Sequence, residues 1–147
     1  MVLTDINNTS ACIDTIRLSK ERGLKVILGI DFRNSTQQQY IGIARNNDGF
    51  RELNEHLTAH LHSGDEFHPI APEFHHAYIV YPLQIYKGWA LKENEYIGVS
   101  VKELSSLHFS PAYSMIHRFV VLQPTSFAGK LQFNAHRLLR AIDTNNL

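Results

Sequence analysis

The chain has few of the features that mark secreted, membrane or disordered proteins. Its single cysteine, Cys12, excludes an internal disulfide and is typical of a reducing compartment, and we expect it to be a buried structural thiol. Eight glycines and five prolines in 147 residues are too few for a collagen-like or low-complexity chain. The apolar runs are too short to cross a bilayer, and the first residues lack the pattern of a signal peptide. We therefore expect a folded cytoplasmic protein that does not enter a membrane.

An excess of charge of one sign is also missing. Fourteen Lys and Arg balance fourteen Asp and Glu, so the net charge does not predict strong direct binding to DNA. The last predicted helix is basic through Lys130, Arg137 and Arg140, a pattern that more often marks a solvated face than a nucleic-acid groove. The chain contains neither a Gly-x-Ser-x-Gly nucleophile motif nor a glycine-rich phosphate loop. These observations leave no catalytic class with a direct sequence signature.

The apolar residues that are present make up 44% of the chain and are sufficient for one domain over residues 1–147. Hydrophobic patterns predict strands at residues 2–4, 26–32, 40–44, 77–81, 95–99 and 119–122. They predict helices at about residues 10–22, 48–61, 101–107, 111–117 and 131–142, with capping side chains within residues 7–10 and at Asp48. The second and third strands are expected to form a hairpin. Because strands and helices alternate, the expected class is α/β with a largely parallel sheet or part of a barrel.

Nine histidines are a high count for this length. His56 and His60 are four residues apart on one predicted helix face, with Glu52 one turn earlier, so a zinc site is geometrically possible. No general-base glutamate follows His56 as a metalloprotease motif requires, and we expect surface histidines here. A loop holds three further histidines that are poorly spaced for joint ligation, namely His68, His75 and His76.

Asp5 and Asp31 are the most suggestive acids. Each stands at the carboxyl end of a predicted strand, where α/β folds and barrels place their chemistry. Two carboxylates alone cannot hold a catalytic metal, so the residues by themselves predict no named reaction.

Five segments in order resemble one family. Residues 3–10 resemble the Leu-Thr-Asp-His-Asn-Asn segment of the PHP (polymerase and histidinol phosphatase) domain that begins bacterial DNA polymerase III alpha subunits. Residues 23–32 are similar to its Gly-Ile-x-Pro-Ile-x-Gly-x-Glu-Phe segment, and residues 43–53 to its Leu-Ala-Lys-Asn-x-x-Gly-Tyr-x-x-Leu segment. Residues 94–99 and 136–142 match in the expected places. The resemblance implies a partial, distorted (β/α)7 barrel of about five mostly parallel strands. It also implies an interior piece that lacks the opening His-x-His strand and the polymerase domains.

The resemblance also implies a degenerate metal site. Ile6 stands where active relatives have histidine, Asp31 replaces a glutamate, and Gln39 replaces a strand histidine. The Asp-x-His before the last helix aligns with residues 124–126, which begin with Pro124. Isoleucine and proline have no side-chain donor atoms, and Gln and Ser are poor ligands for Zn or Mn. We therefore expect no metal and no other cofactor, with remnant site positions at Asp5, Asp31, Gln39 and Ser126.

The missing ligands favour a non-catalytic role. The chain is expected to be a scaffold or docking surface for the other polymerase domains and for a proofreading exonuclease subunit. Its open sheet edges predict a homodimer. The alternative implied by active relatives is a metal-dependent phosphoesterase or 3′–5′ exonuclease that uses Zn or Mn on Asp5, Asp31 and His136.

Overall fold

The structure, a computed structural model, describes residues 1–107, 111–125 and 127–143. Its strands are β1 (Val2–Ile6), β2 (Ile27–Asn34), β3 (Gln37–Ala44), β4 (Ala77–Pro82), β5 (Glu95–Val99) and β6 (Phe119–Val121). Its α-helices are α1 (Cys12–Glu21), α2 (Asn47–Ser63), α3 (Leu104–Leu107) and α4 (Lys130–Asp143). Two 3-10 segments, Val101–Glu103 and Pro111–Arg118, flank α3. The predicted elements are present, although the predicted helix at 111–117 is a 3-10 segment.

The six strands form one sheet in chain order, from β1 to β6. Strand β3 is antiparallel to both β2 and β4, whereas the other neighbouring pairs are parallel. The predicted mostly parallel (β/α)7-type barrel of about five strands is therefore wrong. In the described residues β1 and β6 each pair on one side only, so the sheet is mixed and open.

Two connections explain the antiparallel centre of the sheet. Only two residues join β2 to β3, and such a short turn allows only antiparallel pairing, as the hairpin prediction required. After α2, residues 64–76 return the chain to the end of β3, where Ala77 pairs with Ala44. The Arg45 N–H donates to the His76 carbonyl at 2.9 Å and fixes this return. Strand β4 therefore begins where β3 ends and runs in the opposite direction.

The main core lies between one face of the sheet and α2. Leu53 and Leu57 of α2 are buried there, together with Phe67 and Phe74 from the return loop. The sheet contributes Ile30, Phe32, Tyr40, Ala44, Ala77, Ile79 and Tyr81 to the same cluster. Because the loop supplies two of the buried aromatic rings, its path is part of the core and determines the direction of β4.

Helix α2 is capped at its N-terminal end by a residue other than the predicted one, and at its C-terminal end by a glycine. The Asn46 side chain accepts a hydrogen bond from the Gly49 N–H at 2.9 Å, so the N-cap is Asn46 and not Asp48. The helix ends at Gly64, whose φ of 74° is the left-handed conformation that glycine adopts without a steric penalty.

Helix α4 carries an apolar stripe that is exposed. Leu131 is 80% exposed, Leu138 59%, Leu139 65% and Ile142 59%. Lys130 and Arg137 of the same helix are exposed as well. No helix among the described residues has the length and apolar character of a membrane span.

Candidate functional site: a groove on the open sheet face

The sheet face opposite α2 forms a groove of about 1100 Å³. Register pairs Asp31 with Ile41, Ile41 with Val80, and Val80 with Tyr96, and these four residues line the groove. Side chains of directly paired residues lie on the same face of a sheet, so the four form one row across β2 to β5. Asp31 is the charged member of an otherwise apolar and aromatic row.

Asp31 is buried and paired with Arg33. The Arg33 Nη2 and Nε groups donate to the same carboxylate oxygen, Oδ2, at 2.7 and 3.0 Å. The side chain of Asp31 is only 8% exposed and that of Arg33 27% exposed. The other carboxylate oxygen, Oδ1, is buried without a hydrogen-bond partner. Arg33 was not among the residues predicted from the sequence, although the Asp-x-Arg spacing on a strand places both side chains on one face.

Asn7 holds the backbone beside this ion pair. Its side-chain Oδ1 accepts from the Arg33 N–H at 2.9 Å, and its Nδ2 donates to the Arg33 carbonyl at 2.8 Å. The predicted use of residues 7–10 as side-chain caps of α1 is wrong, because the N-cap of that helix is Ala11 without a side-chain bond. Asn7 instead continues the pairing of β1 with β2 beyond the end of β1.

Asp5 does not join Asp31. In the parallel register of β1 and β2, Asp5 pairs with Ile30, whose side chain lies in the core on the α2 side. Burial raises the pKa of the Cys12 thiol, and the nearby charge of Asp5 raises that pKa further. Asp5 therefore borders the groove, but its charge affects the Cys12 thiol of α1. The residue of β1 that pairs with Asp31 is Ile6. Cys12 is buried, as predicted.

Of the other predicted remnant positions, Gln39 is not among the residues that line the groove. Gln39 is buried beside the irregularity between β2 and β3, where its amide donates to the Gln37 carbonyl at 3.3 Å, and Gln38 lines the groove in its place. Pro124 also lines the groove, and Ser126 lies outside the described residues. The ring of His136 lies on α4, 5.1 Å from that of Phe127.

Two histidines of α2, His56 and His60, belong to an aromatic cluster, whereas His62 of the same helix is exposed. His56 Nε2 lies 2.7 Å from the Tyr40 hydroxyl, and the His60 ring stacks on Phe67 with centroids 4.4 Å apart. Burial, and to a lesser extent His60, lowers the pKa of His56 to about 4. The expectation of surface histidines is therefore wrong for both residues, which are partly buried.

Glu52 is engaged at the return loop and not with these rings. Its Oε2 accepts hydrogen bonds from the N–H groups of His75 and His76 at 3.1 and 3.0 Å. The structure thus brings two residues of the possible zinc site together, with the His56 and His60 ring centroids 4.4 Å apart, but Glu52 is held at the loop. No group of three or more His, Cys, Asp or Glu side chains suited to a metal ion occurs in residues 1–107, 111–125 and 127–143.

A buried carboxylate that the sequence analysis missed lies on the core side of the sheet. Glu95 is 2% exposed and accepts from the Tyr81 hydroxyl at 3.2 Å and from the Lys92 N–H at 2.9 Å. The same Tyr81 oxygen accepts from the Ala71 N–H at 3.1 Å, and burial raises the pKa of Tyr81. This network ties the return loop to β4 and β5, so its role is structural.

Comparison of the chain with family models, with curated proteins and with solved structures gives no match.

Proposed function

We propose that this chain is a non-catalytic PHP-related unit of a bacterial DNA polymerase III alpha subunit. In this role it acts in DNA replication as a docking surface for other polymerase domains and for a proofreading exonuclease subunit. The five ordered segments of the sequence resemblance support the proposal, which does not depend on the barrel that the open sheet excludes. The proposal implies a cytoplasmic location.

The single observation that carries the non-catalytic part is the contact of Arg33 with Asp31. A guanidinium held by two hydrogen bonds to Oδ2 already supplies the positive charge that a metal ion would bring to this carboxylate. A divalent ion would have to displace Arg33 and leave a partly buried cation without its partner, which is costly. Asp5, the other candidate acid, does not offset that cost, because its register partner lies on the opposite face.

Two exposed features support the docking part. The apolar side chains of α4 form a continuous stripe, and such stripes on a surface mark interaction sites. The outer edges of β1 and β6 present backbone groups that another strand can pair with. We propose that the sheet edges mediate homodimer formation and that α4 contacts a different protein.

The docking part is tested with two matched variants. Leu139 on α4 and Leu61 on α2 are both 65% exposed leucines, so Leu139→Asp and Leu61→Asp introduce the same charge at equal exposure. Each variant is mixed with a purified proofreading exonuclease subunit of a bacterial polymerase III, and the dissociation constant is measured by analytical ultracentrifugation. We expect Leu139→Asp to weaken the complex by about tenfold or more, as at an interface hot spot, and Leu61→Asp to leave it unchanged. Absence of a complex with the unmodified chain, or equal weakening by both variants, would contradict the proposal.

The non-catalytic part is tested separately with metal and substrate. We expect no stoichiometric binding in a calorimetric titration with Mn²⁺ or Zn²⁺, and no metal-dependent hydrolysis of a nitrophenyl phosphate ester. Hydrolysis that depends on Mn²⁺ and disappears in Asp31→Asn, with Asp48→Asn as the matched surface control, would instead establish the phosphoesterase alternative on Asp5, Asp31 and His136.

A further inference from the structure

The unpartnered Oδ1 atom of Asp31 distinguishes this ion pair from an ordinary structural one. Arginine and a carboxylate usually meet fork to fork, with one N–H group on each oxygen. Here both N–H groups of Arg33 bind Oδ2, and Oδ1 is left buried without a donor. A buried acceptor that has lost its water and gained no partner is unfavourable, so native proteins rarely retain one without a reason. Asp31 lines the groove, so a bound molecule that reaches this atom would supply the missing donor.

Arg33 has donor capacity left beside this acceptor. Its Nε and Nη2 groups are used on Asp31, whereas Nη1 makes no hydrogen bond within the described part of the chain. The Arg33 side chain is more exposed than that of Asp31, and both residues line the groove. The pair therefore retains one acceptor on Asp31 and one donor on Arg33 that are not used between the two side chains.

The rest of the groove is suited to a flat, largely apolar molecule. Ile41 and Val80 lie next to Asp31 in the same row and form an apolar floor. Tyr78 and Tyr96 line the groove with their rings edge to face, at a centroid distance of 5.9 Å. Aromatic rings at the rim of a groove favour planar ligands that stack on or against them.

Two arginines stand beside these tyrosines. The Arg45 guanidinium lies 5.1 Å from the centroid of the Tyr78 ring, and that of Arg118 lies 5.9 Å from the Tyr96 ring. They add positive charge beside the two tyrosines, whereas the charge of Asp31 is compensated by Arg33. A ligand with an additional cation is therefore disfavoured, and a neutral ligand or one carrying a phosphate is favoured.

We propose that the groove binds a planar nitrogen heterocycle of the nucleobase kind, with an N–H donor next to a ring acceptor. The ligand N–H donates to Asp31 Oδ1, and the neighbouring ring nitrogen or oxygen accepts an N–H from Arg33 Nη1. Tyr78 and Tyr96 contact the face or edge of the ring. This site is independent of the proposed docking role, which concerns α4 and the sheet edges.

The test compares two ligands that differ only in the donor. Cytidine has an amino donor beside its ring acceptor, and N4,N4-dimethylcytidine keeps the ring and the acceptor but has no donor. Binding to the unmodified chain is followed by two-dimensional ¹H–¹⁵N NMR, with chemical-shift changes expected at Asp31, Arg33 and Tyr96. We expect the dissociation constant of the dimethyl compound to be at least about tenfold higher, because this compound leaves the charged acceptor unpaired.

A pair of variants tests the same contact from the protein side. Asp31→Asn removes the charge of the acceptor and is expected to weaken cytidine binding by about tenfold. Asp48→Asn is the control, because Asp48 is also paired with an arginine, Arg51, but lies exposed on α2. If Asp31→Asn does not fold, as judged by circular dichroism, the ligand comparison on the unmodified chain decides alone.

A single-stranded deoxycytidine oligomer shows whether the heterocycle comes from a free molecule or from a strand. Tighter binding of the oligomer than of cytidine, lost in Arg45→Ala but not in Arg51→Ala, identifies a strand, whereas equal affinity per nucleoside identifies the free molecule. The proposal is overturned if cytidine does not bind at about 10 mM, a concentration that detects interactions weaker than those of typical ligands. Equal binding of the two cytidines, or unchanged cytidine binding by Asp31→Asn, would overturn it as well.

Discussion

The free energy of unfolding should decrease as the pH is lowered from 6.5 to about 4, and one residue, His56, causes this part of the decrease. Its ring packs among Phe32, Phe67 and Phe74, and its Nε2 shares a hydrogen bond with the Tyr40 hydroxyl. Burial disfavours the charged form, and the neighbouring His60 ring adds repulsion, so the pKa of His56 falls from 6.5 to about 4. In the unfolded chain His56 has the ordinary pKa of histidine and takes up a proton over this range, whereas the folded chain does not.

The sign and the magnitude follow from this difference in proton uptake. Because the unfolded state binds more protons below pH 6.5, protons favour unfolding, and the loss of stability grows until the pH reaches the pKa of the folded state. A shift from 6.5 to about 4 corresponds to about 2.5 kcal/mol at pH 4.5. The ring is only partly buried, so solvent screening reduces the expected contribution to about 1.5 kcal/mol.

The variant His56→Gln removes the titrating group and retains a side chain that can hydrogen-bond to Tyr40. Trp89, the only tryptophan, packs against the core and reports urea unfolding by fluorescence at pH 7.5 and 4.5. The carboxylates of the chain also contribute to the pH dependence of stability, but the unmodified chain and His56→Gln have the same carboxylates. The loss of stability between the two pH values should therefore be about 1.5 kcal/mol smaller in His56→Gln than in the unmodified chain. His62→Gln, an exposed histidine of the same helix, should leave that loss unchanged. Equal losses in all three proteins would refute the reasoning.

Two further perturbations test the positioning of the groove and of the return loop. Asn7→Ala removes both hydrogen bonds to the Arg33 backbone and places alanine at a φ of 46°, so urea denaturation should show a loss of about 2 kcal/mol. Asn8→Ala removes only an exposed bond to Ser10 and should cost less than about 1 kcal/mol, so equal losses would argue against the role of Asn7. Gly49→Ala would drive a Cβ into the His76 carbonyl oxygen, and we expect a lower midpoint of thermal unfolding and a loss of about 2 kcal/mol or more. Thr58→Ala, on the exposed face of the same helix, should leave that midpoint nearly unchanged, and an unchanged midpoint in Gly49→Ala would show that the loop adjusts freely.

Local sequence patterns predicted the elements, but the direction of the strands depends on contacts that are distant in the chain. The apolar run of β4 would read the same in a parallel or an antiparallel sheet, because both of its faces contain buried residues. Strand β4 is antiparallel to β3 because of the path of residues 64–76. This path is held by Phe67 and Phe74 in the core and by the hydrogen bond from the Arg45 N–H to the His76 carbonyl. A loop rich in histidine and proline gives no periodic signal from which that path could be derived.

The candidate site shows the same limit at the scale of one residue. Asp5 and Asp31 both lie near the carboxyl ends of adjacent parallel strands, and the sequence pattern named both as positions of one candidate site. A register that pairs Asp5 with Ile30 turns Asp5 to the other face, and a shift by one residue would have brought the two acids side by side. Strand register is set by packing over the whole face, so it could not be obtained from the two segments alone. The spacing of Asp31 and Arg33 on one strand, in contrast, was readable and is the better guide to the site.

Helix α4 and the sheet edges point to two different kinds of contact. An isolated helix of 14 residues is marginal in water, so α4 needs its apolar stripe covered to be stable. Helix α4 has a net positive charge from Lys130, Arg137 and Arg140, so contact between the α4 helices of two copies would bring two cationic helices together, which disfavours self-association at this helix. Strand edges carry no such penalty, because backbone groups pair irrespective of charge. We therefore expect Leu139→Asp to leave the dimer mass measured by light scattering unchanged while it weakens the contact with the exonuclease subunit. Loss of the dimer in this variant would show instead that α4 joins the copies.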